Sequence, residues 1–142
     1  MGKKEKAVIL IVDDEVMWRD MCGREYEKHP LSNKYQLLAD SGLAASERQV
    51  LDEKRVVAVI SDYRLVGRFG DEVLTYFASK KPGGTCVLIS SNFEGDILRE
   101  VASRGSALPV GTKFFNKHDM RVEPFGSRFK PIFDLLILRL IE

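Results

Sequence analysis

The residues of this chain that could do chemistry stand at the ends of apolar runs. Asp13 and Asp14 follow Ala7–Val12, Asp62 follows Val56–Ile60, Ser90 and Ser91 follow Cys86–Ile89, and Lys117 follows Phe114–Asn116. A lone Asp in such a place commonly caps a helix, and Asp14 is expected to cap the first one. Three carboxylates brought to one place repel one another unless a cation sits among them. A hard divalent ion that keeps some of its waters suits an all-oxygen donor set, and Mg2+ fits best. The backbone carbonyl of Arg64, two residues past Asp62, offers a further oxygen.

The elements on either side decide whether these groups meet. Ala7–Val12 and Val56–Ile60 are unbroken apolar runs rich in β-branched residues, the pattern of strands buried on both faces of a parallel sheet. Tyr35–Ala39, Cys86–Ile89 and Phe114–Phe115 complete five predicted strands. Between and after them the spacing predicts five helices. The first runs from Glu15 to about Lys28, with Val16, Met17, Met21 and Tyr26 near one stripe, and His29-Pro30 stops it. The second covers Leu43–Leu51, with Ala44, Ala45, Val50 and Leu51 on its apolar side. The third covers Asp71–Lys80 and closes at Pro82-Gly83-Gly84; Val73, Leu74 and Phe77 are its apolar residues. The fourth covers Glu94–Arg104, with Gly105 as its C′ residue, and the last covers Phe129–Ile141. Strand and helix alternate five times, which predicts one α/β domain with a parallel sheet, right-handed crossovers and helices on both faces. Open sheets of this kind bind ligands outside the carboxyl ends of their strands. That rule gathers Asp13, Asp14, Asp62, Ser90, Ser91 and Lys117 at one edge.

The pieces Ile11-Val12-Asp13-Asp14-Glu15, Ile60-Ser61-Asp62-Tyr63-Arg64-Leu65 and Val87-Leu88-Ile89-Ser90-Ser91, with Lys117 at a strand end, resemble the receiver domain of two-component response regulators, the CheY-like receiver family. The resemblance covers nearly the whole chain. It implies the flavodoxin-like fold, a doubly wound five-stranded parallel sheet of order 2-1-3-4-5. It also implies roles. Asp62 takes a phosphoryl group from the histidine of a histidine kinase or histidine phosphotransfer protein and becomes an aspartyl phosphate. Asp13, Asp14, Asp62 and the Arg64 carbonyl hold Mg2+. Lys117 pairs with a phosphoryl oxygen as a point charge. Ser90 donates a hydroxyl hydrogen bond to another oxygen, and Phe114, three residues before the lysine, follows that motion or is a plain core aromatic. Arg64 and Asn92, two positions past Asp62 and Ser90, flank the water that hydrolyses the acyl phosphate. Catalysis is limited to the protein's own phosphotransfer and dephosphorylation, and the output is contact with a downstream protein or with an output domain elsewhere in a longer chain.

Several positions depart from the family pattern. His118 follows Lys117 where proline is usual, so a cis prolyl bond is impossible there, and a non-prolyl one costs about 2.5–4 kcal/mol. The stretch Gly105–Lys113 is long and offers Lys113 as a second candidate lysine; Lys117 is preferred because Phe114–Asn116 reads as the strand it ends. Met120–Arg128 is also long, and Val66 stands where proline is frequent.

Other functions are excluded or secondary. The formal net charge of +1 argues against a dedicated nucleic-acid binder. Ala7–Val12 is too short for a signal peptide and ends in two acids, and no stretch reaches the length of a membrane span, so a cytoplasmic protein is expected. Cys22 and Cys86 make neither a disulfide framework nor a metal spacing and are expected to be buried thiols. His29 and His118 lack metal partners and are expected to cap or to face solvent, and Trp18 is expected to pack. Residues 1–6 read as a flexible basic tail on a single domain of 142 residues. A phosphatase of the haloacid dehalogenase type normally carries a second Asp where Arg64 stands. The main alternative is a receiver-like scaffold that binds partners without phosphorylation.

Overall fold

The computed structural model describes residues 6–42, 44–120 and 128–140. Residues 1–5 of the expected tail, Leu43, the side chains of Ala44 and Ala45, most of the Met120–Arg128 segment and Ile141 lie outside them. The elements in chain order are β1 (Ala7–Val12), α1 (Val16–Glu27), β2 (Tyr35–Asp40), α2 (Ala44–Glu53), β3 (Val56–Asp62), β4 (Arg64–Leu65), β5 (Arg68–Phe69), α3 (Gly70–Lys80), β6 (Thr85–Ser90), α4 (Glu94–Ser103), β7 (Lys113–Asn116) and α5 (Lys130–Leu140). The main sheet has five parallel strands in the order β2-β1-β3-β6-β7, which is the expected 2-1-3-4-5 once the β4–β5 hairpin is set aside.

The apolar runs form strands because both faces of the sheet are covered. Every residue of β1 is buried, and its side chains alternate. Val8, Leu10 and Val12 pack with Leu51 of α2, Val73, Leu74 and Phe77 of α3, and Ile97 and Val101 of α4. Ile9 and Ile11 pack on the opposite face with Trp18, Cys22 and Tyr26 of α1 and Ile132, Phe133 and Leu136 of α5. Each such large aliphatic or aromatic side chain contributes about 1.5–3 kcal/mol by leaving water. Cys22 and Cys86 are buried free thiols.

Two local expectations differ from what is observed, and one small element is added. The buried stripe of α1 is Trp18, Cys22 and Tyr26, while Val16 and Met17 are exposed. One i, i+4 row faces the sheet, and the turn into the helix leaves the first two apolar residues outside it. The N-cap is Glu15, without a side-chain cap, and Asp13 rather than Asp14 holds that turn by accepting from the Glu15 N–H at 2.9 Å. The loop after β3 contains a small antiparallel hairpin, pairing Arg64 with Phe69 and Leu65 with Arg68. Gly67, at φ +73, closes it. Two expectations hold in detail. Gly105 ends α4 at φ +71 with the Ser106 N–H donating to Val101 O, and His29 caps the 3-10 turn Pro30–Asn33 through Nδ1.

Candidate functional site

Register builds the site. Val12 pairs with Ser61, so the next residues, Asp13 and Asp62, come side by side where β1 and β3 end. Asp62 pairs with Ile89, which places Ser90 one position further along β6. Ser90 pairs with Asn116, and the Lys117 N–H donates to Ser90 O at 2.7 Å, turning Lys117 in over the strand ends. Lys113, at the start of β7 opposite Val87, is at the far end of that strand. The Lys117 ammonium stands 3.3 Å from Asp13 Oδ2, 3.3 Å from Asp62 Oδ1 and 3.9 Å from Glu15 Oε1.

Asp13 and Asp62 are buried, Asp14 is half-buried and Glu15 is exposed. One carboxylate oxygen from each of the four lies within 4.8 Å of the others. Burial pushes Asp62 up to about 7; the neighbouring Asp13 and Asp14 charges add to this, and Lys117 opposes it. Burial also raises Asp13, against the Glu15 N–H and Lys117, which lower it. One lysine therefore does not neutralise the acids it touches. A donor set made only of carboxylate oxygens, with its two buried members still short of positive charge, fits a hard divalent cation such as Mg2+. Glu15 joins this set unforeseen. The run of three acids signalled it, but only the turn into α1 brings its oxygen back to Asp13.

Asp14, Glu15, Asp62, Arg64, Ser90, Ser91, Asn92 and Lys117 line one cleft of about 190 Å3. Ser90 Oγ accepts from the Asn92 N–H at 3.0 Å. Tyr63 N–H donates to Asp62 Oδ1 at 3.0 Å and to Ile89 O at 2.9 Å, fixing the Asp62 end of β3 against β6. The Arg64 side chain turns away, pairing with Glu100 of α4 at 3.1 Å, while Asn92 stays at the cleft. Phe114 is half-buried against the α2–α4 side of the core and lines a neighbouring cavity of about 410 Å3 with Ser90, Phe93 and Ile97. Trp18 does pack, edge-on against Phe129, yet its ring also lies 4.6 Å from the Lys117 ammonium. Its place soon after the acids was visible in the sequence; its partner, 99 residues on, was not.

No protein-family model matches this sequence, and no curated protein matches it. Solved structures do match its fold. A CheY-like response regulator receiver domain protein from Methanospirillum hungatei superposes with a TM-score of 0.64 at 16% identity, covering 96% of this chain and 98% of that one. The signal receiver domain of an HD domain-containing protein from Pseudomonas fluorescens gives 0.70 at 17% identity over 99% of this chain and 91% of that one. The response regulator domain of Thermotoga maritima CheB gives 0.60 at 19% identity over 96% of both chains. The strand order, the helices on both faces and these superpositions together show that the chain has the fold of response-regulator receiver domains.

Proposed function

We propose that the whole chain is a single phosphoacceptor receiver of a two-component signalling system. The carrying observation is the Lys117 ammonium set 3.3 Å from both Asp13 and Asp62, with Ser90 in the same cleft. In this reading the Asp62 carboxylate attacks the phosphorus of a phosphohistidine on a histidine kinase or histidine phosphotransfer protein. The P–N bond breaks, the histidine keeps that electron pair and takes up a proton, and an aspartyl phosphate forms. Lys117 offers one phosphoryl oxygen a point charge, and the Ser90 hydroxyl turns its O–H from Asn92 Oδ1, at 3.4 Å, to donate to another. Asp13, Asp14, Glu15, Asp62 and the Arg64 carbonyl are the groups that would hold Mg2+, which when bound offsets charge on the transferring phosphoryl group.

The response is a change of shape. Ser90 and Phe114 line one cavity, so drawing Ser90 toward the phosphoryl group gives Phe114 a reason to move. The altered face would meet a downstream protein or an output domain. Asn92 flanks the water path to the acyl phosphate and helps set its lifetime; the Arg64 side chain, paired with Glu100, acts there only if that pair opens. The protein's own catalysis is limited to phosphotransfer onto Asp62 and to the later loss of that phosphoryl group. Among the described residues no helix is long and apolar enough to cross a membrane, and two buried free thiols suit a reducing cytoplasm.

The test is acetyl phosphate or beryllofluoride with Mg2+, read by intact mass in the natural protein and in Asp62→Asn. A magnesium-dependent adduct that disappears in the variant is expected. Magnesium binding without any adduct would favour a scaffold that meets partners unphosphorylated.

A further inference from the structure

We infer that Trp18 is the positioning residue for Lys117, its indole face acting as the wall that holds the ammonium between Asp13 and Asp62. The inference rests on the receiver reading for its consequence and on geometry alone for the contact. Lys117 is buried, yet none of its carboxylate contacts is short: 3.3, 3.3 and 3.9 Å. Charge-assisted N–H···O bonds normally fall at about 2.7–2.9 Å. The ammonium is thus shared between acids rather than docked on one of them. The Lys117 Nζ also lies over the Trp18 ring, 4.6 Å from its centroid and within cation–π range.

The ring itself is fixed. Trp18 is buried, in the first turn of α1, and meets Phe129 edge-on with centroids 5.8 Å apart and planes at 74°. Phe129 is fully buried, stacks on Phe133 and donates its N–H to Glu25 Oε1 of α1 at 2.9 Å. The Arg128 guanidinium is farther from the indole, at 5.8 Å. By contrast, no proline directly follows Lys117; His118 and Asp119 follow in a turn closed by Asp119 N to Asn116 O and Met120 N to Lys117 O. These bonds fix the backbone of the turn, and the side-chain wall restrains the ammonium itself.

A desolvated cation–π contact is strong enough to matter for one lysine in a small cleft. Losing it lets the ammonium collapse onto one carboxylate or swing into solvent, and in either case it no longer meets a phosphoryl oxygen on Asp62.

Trp18 is the chain's single tryptophan, so growth on fluorinated tryptophans alters this ring alone. Fluorine drains the negative face of the ring with little change of shape. The test compares natural, monofluoro, difluoro and tetrafluoro protein, with two measurements on each. The first is the ring-current shift of the Lys117 ε-methylene protons in 13C-lysine-labelled protein, assigned by its loss in Lys117→Met. The second is the rate of Asp62 phosphorylation by acetyl phosphate. Expected are a stepwise loss of the upfield shift and a stepwise fall in rate, about tenfold over the series. Thermal unfolding should stay level, and ring fluorination should have no further effect on uptake in Lys117→Met. A rate and a lysine shift that both ignore fluorination would overturn the proposal, as would a shift that moves while the rate does not. If the natural protein takes up no phosphoryl group but the lysine shift still grades with fluorination, the receiver reading fails and the positioning of Lys117 by Trp18 stands.

Discussion

Gly70 stands so close to Asp62 that a β-carbon on it would lie 2.3 Å from the Asp62 carbonyl oxygen. The same atom would meet Leu88 Cδ1 at 2.9 Å and Ser61 Oγ at 3.0 Å, and the Gly70 N–H already donates to Tyr63 O at 2.6 Å. The start of α3 is therefore pressed against the end of β3, and glycine is needed for closeness rather than for an unusual φ. Gly70→Ala should cost about 1–3 kcal/mol by overpacking. On the proposed reading it should also lower phosphoryl uptake, because the strain falls on the peptide of Asp62. Gly67 is the control: at φ +73 with nothing near its missing β-carbon, Gly67→Ala should cost about 1–2 kcal/mol through the left-handed backbone and leave uptake intact. Urea melts and acetyl phosphate uptake on both variants check this, and equal uptake in the two would refute it.

Magnesium binding should release protons near neutral pH. Asp62 is pushed up to about 7 by burial and by Asp13 and Asp14, and Asp13 is raised as well. A cation needs these groups ionised. At about pH 6 its binding must expel close to one proton or more, and above about pH 8.5 close to none. Affinity should accordingly climb with pH through about 7 and level off. Calorimetry of Mg2+ binding in buffers of different ionisation enthalpy measures the release directly. A proton count that does not vary with pH would show that the acids are already ionised in the metal-free protein.

The same raised acid makes a prediction about stability without metal. The folded pKa of Asp62 lies above its unfolded value, so between about pH 4 and 7 the folded chain holds more protons than the unfolded one. Stability from this group is present below the unfolded pKa and is lost as pH rises through the folded one. Asp62→Asn mimics the protonated acid at every pH. In EDTA it should match the natural protein at about pH 4 and exceed it by roughly 1–3 kcal/mol at about pH 8. Denaturant melts at both pH values test it, and an Asn variant less stable at the higher pH would mean that the Lys117 pair outweighs desolvation.

How much of this was legible in the sequence depended on range. β1, β3 and β6 announced themselves as apolar runs, and their order followed from the receiver resemblance. The chemical groups were legible because each sits where an apolar run ends. Features set by contacts across the fold were not. The β4–β5 hairpin has two-residue strands, too short for any periodicity, and its anchor is the buried Arg68–Glu47 pair at 3.0 Å, a contact between β5 and α2. Val16 and Met17 looked apolar enough to bury, but a helix turns only one row to the sheet. The choice between Lys113 and Lys117 rested on reading Phe114–Asn116 as the strand, and the pairing of Asn116 with Ser90 fixes Lys117 as the lysine that stands beside Asp62.

Tyr63, beside Asp62, is tied to α3 and α4 through one cluster whose halves should respond unequally to substitution. Arg104, at the end of α4, donates to both Asp71 oxygens, at 3.0 and 3.1 Å, and to the Tyr63 hydroxyl at 2.9 Å. Ser106 donates to Asp71 at 3.0 Å. Asp71 has no exposed side-chain surface, whereas Arg104 keeps 28% of its own. Removing the arginine strands a buried carboxylate with Ser106 as its remaining side-chain donor, so Arg104→Met should cost about 2–4 kcal/mol. Removing the acid leaves a cation that can turn toward water, so Asp71→Asn should cost only about 1 kcal/mol. The Arg64–Glu100 pair nearby is more open, at 55% and 34% exposure, and Glu100→Gln should change stability by less than about 0.5 kcal/mol. Guanidinium melts of the three variants rank the costs. If Asp71→Asn proved the more damaging, the buried carboxylate would not be the dominant electrostatic burden, and Arg104 would act on Tyr63 mainly by stacking on Phe69, whose ring centroid lies 4.1 Å from its guanidinium carbon.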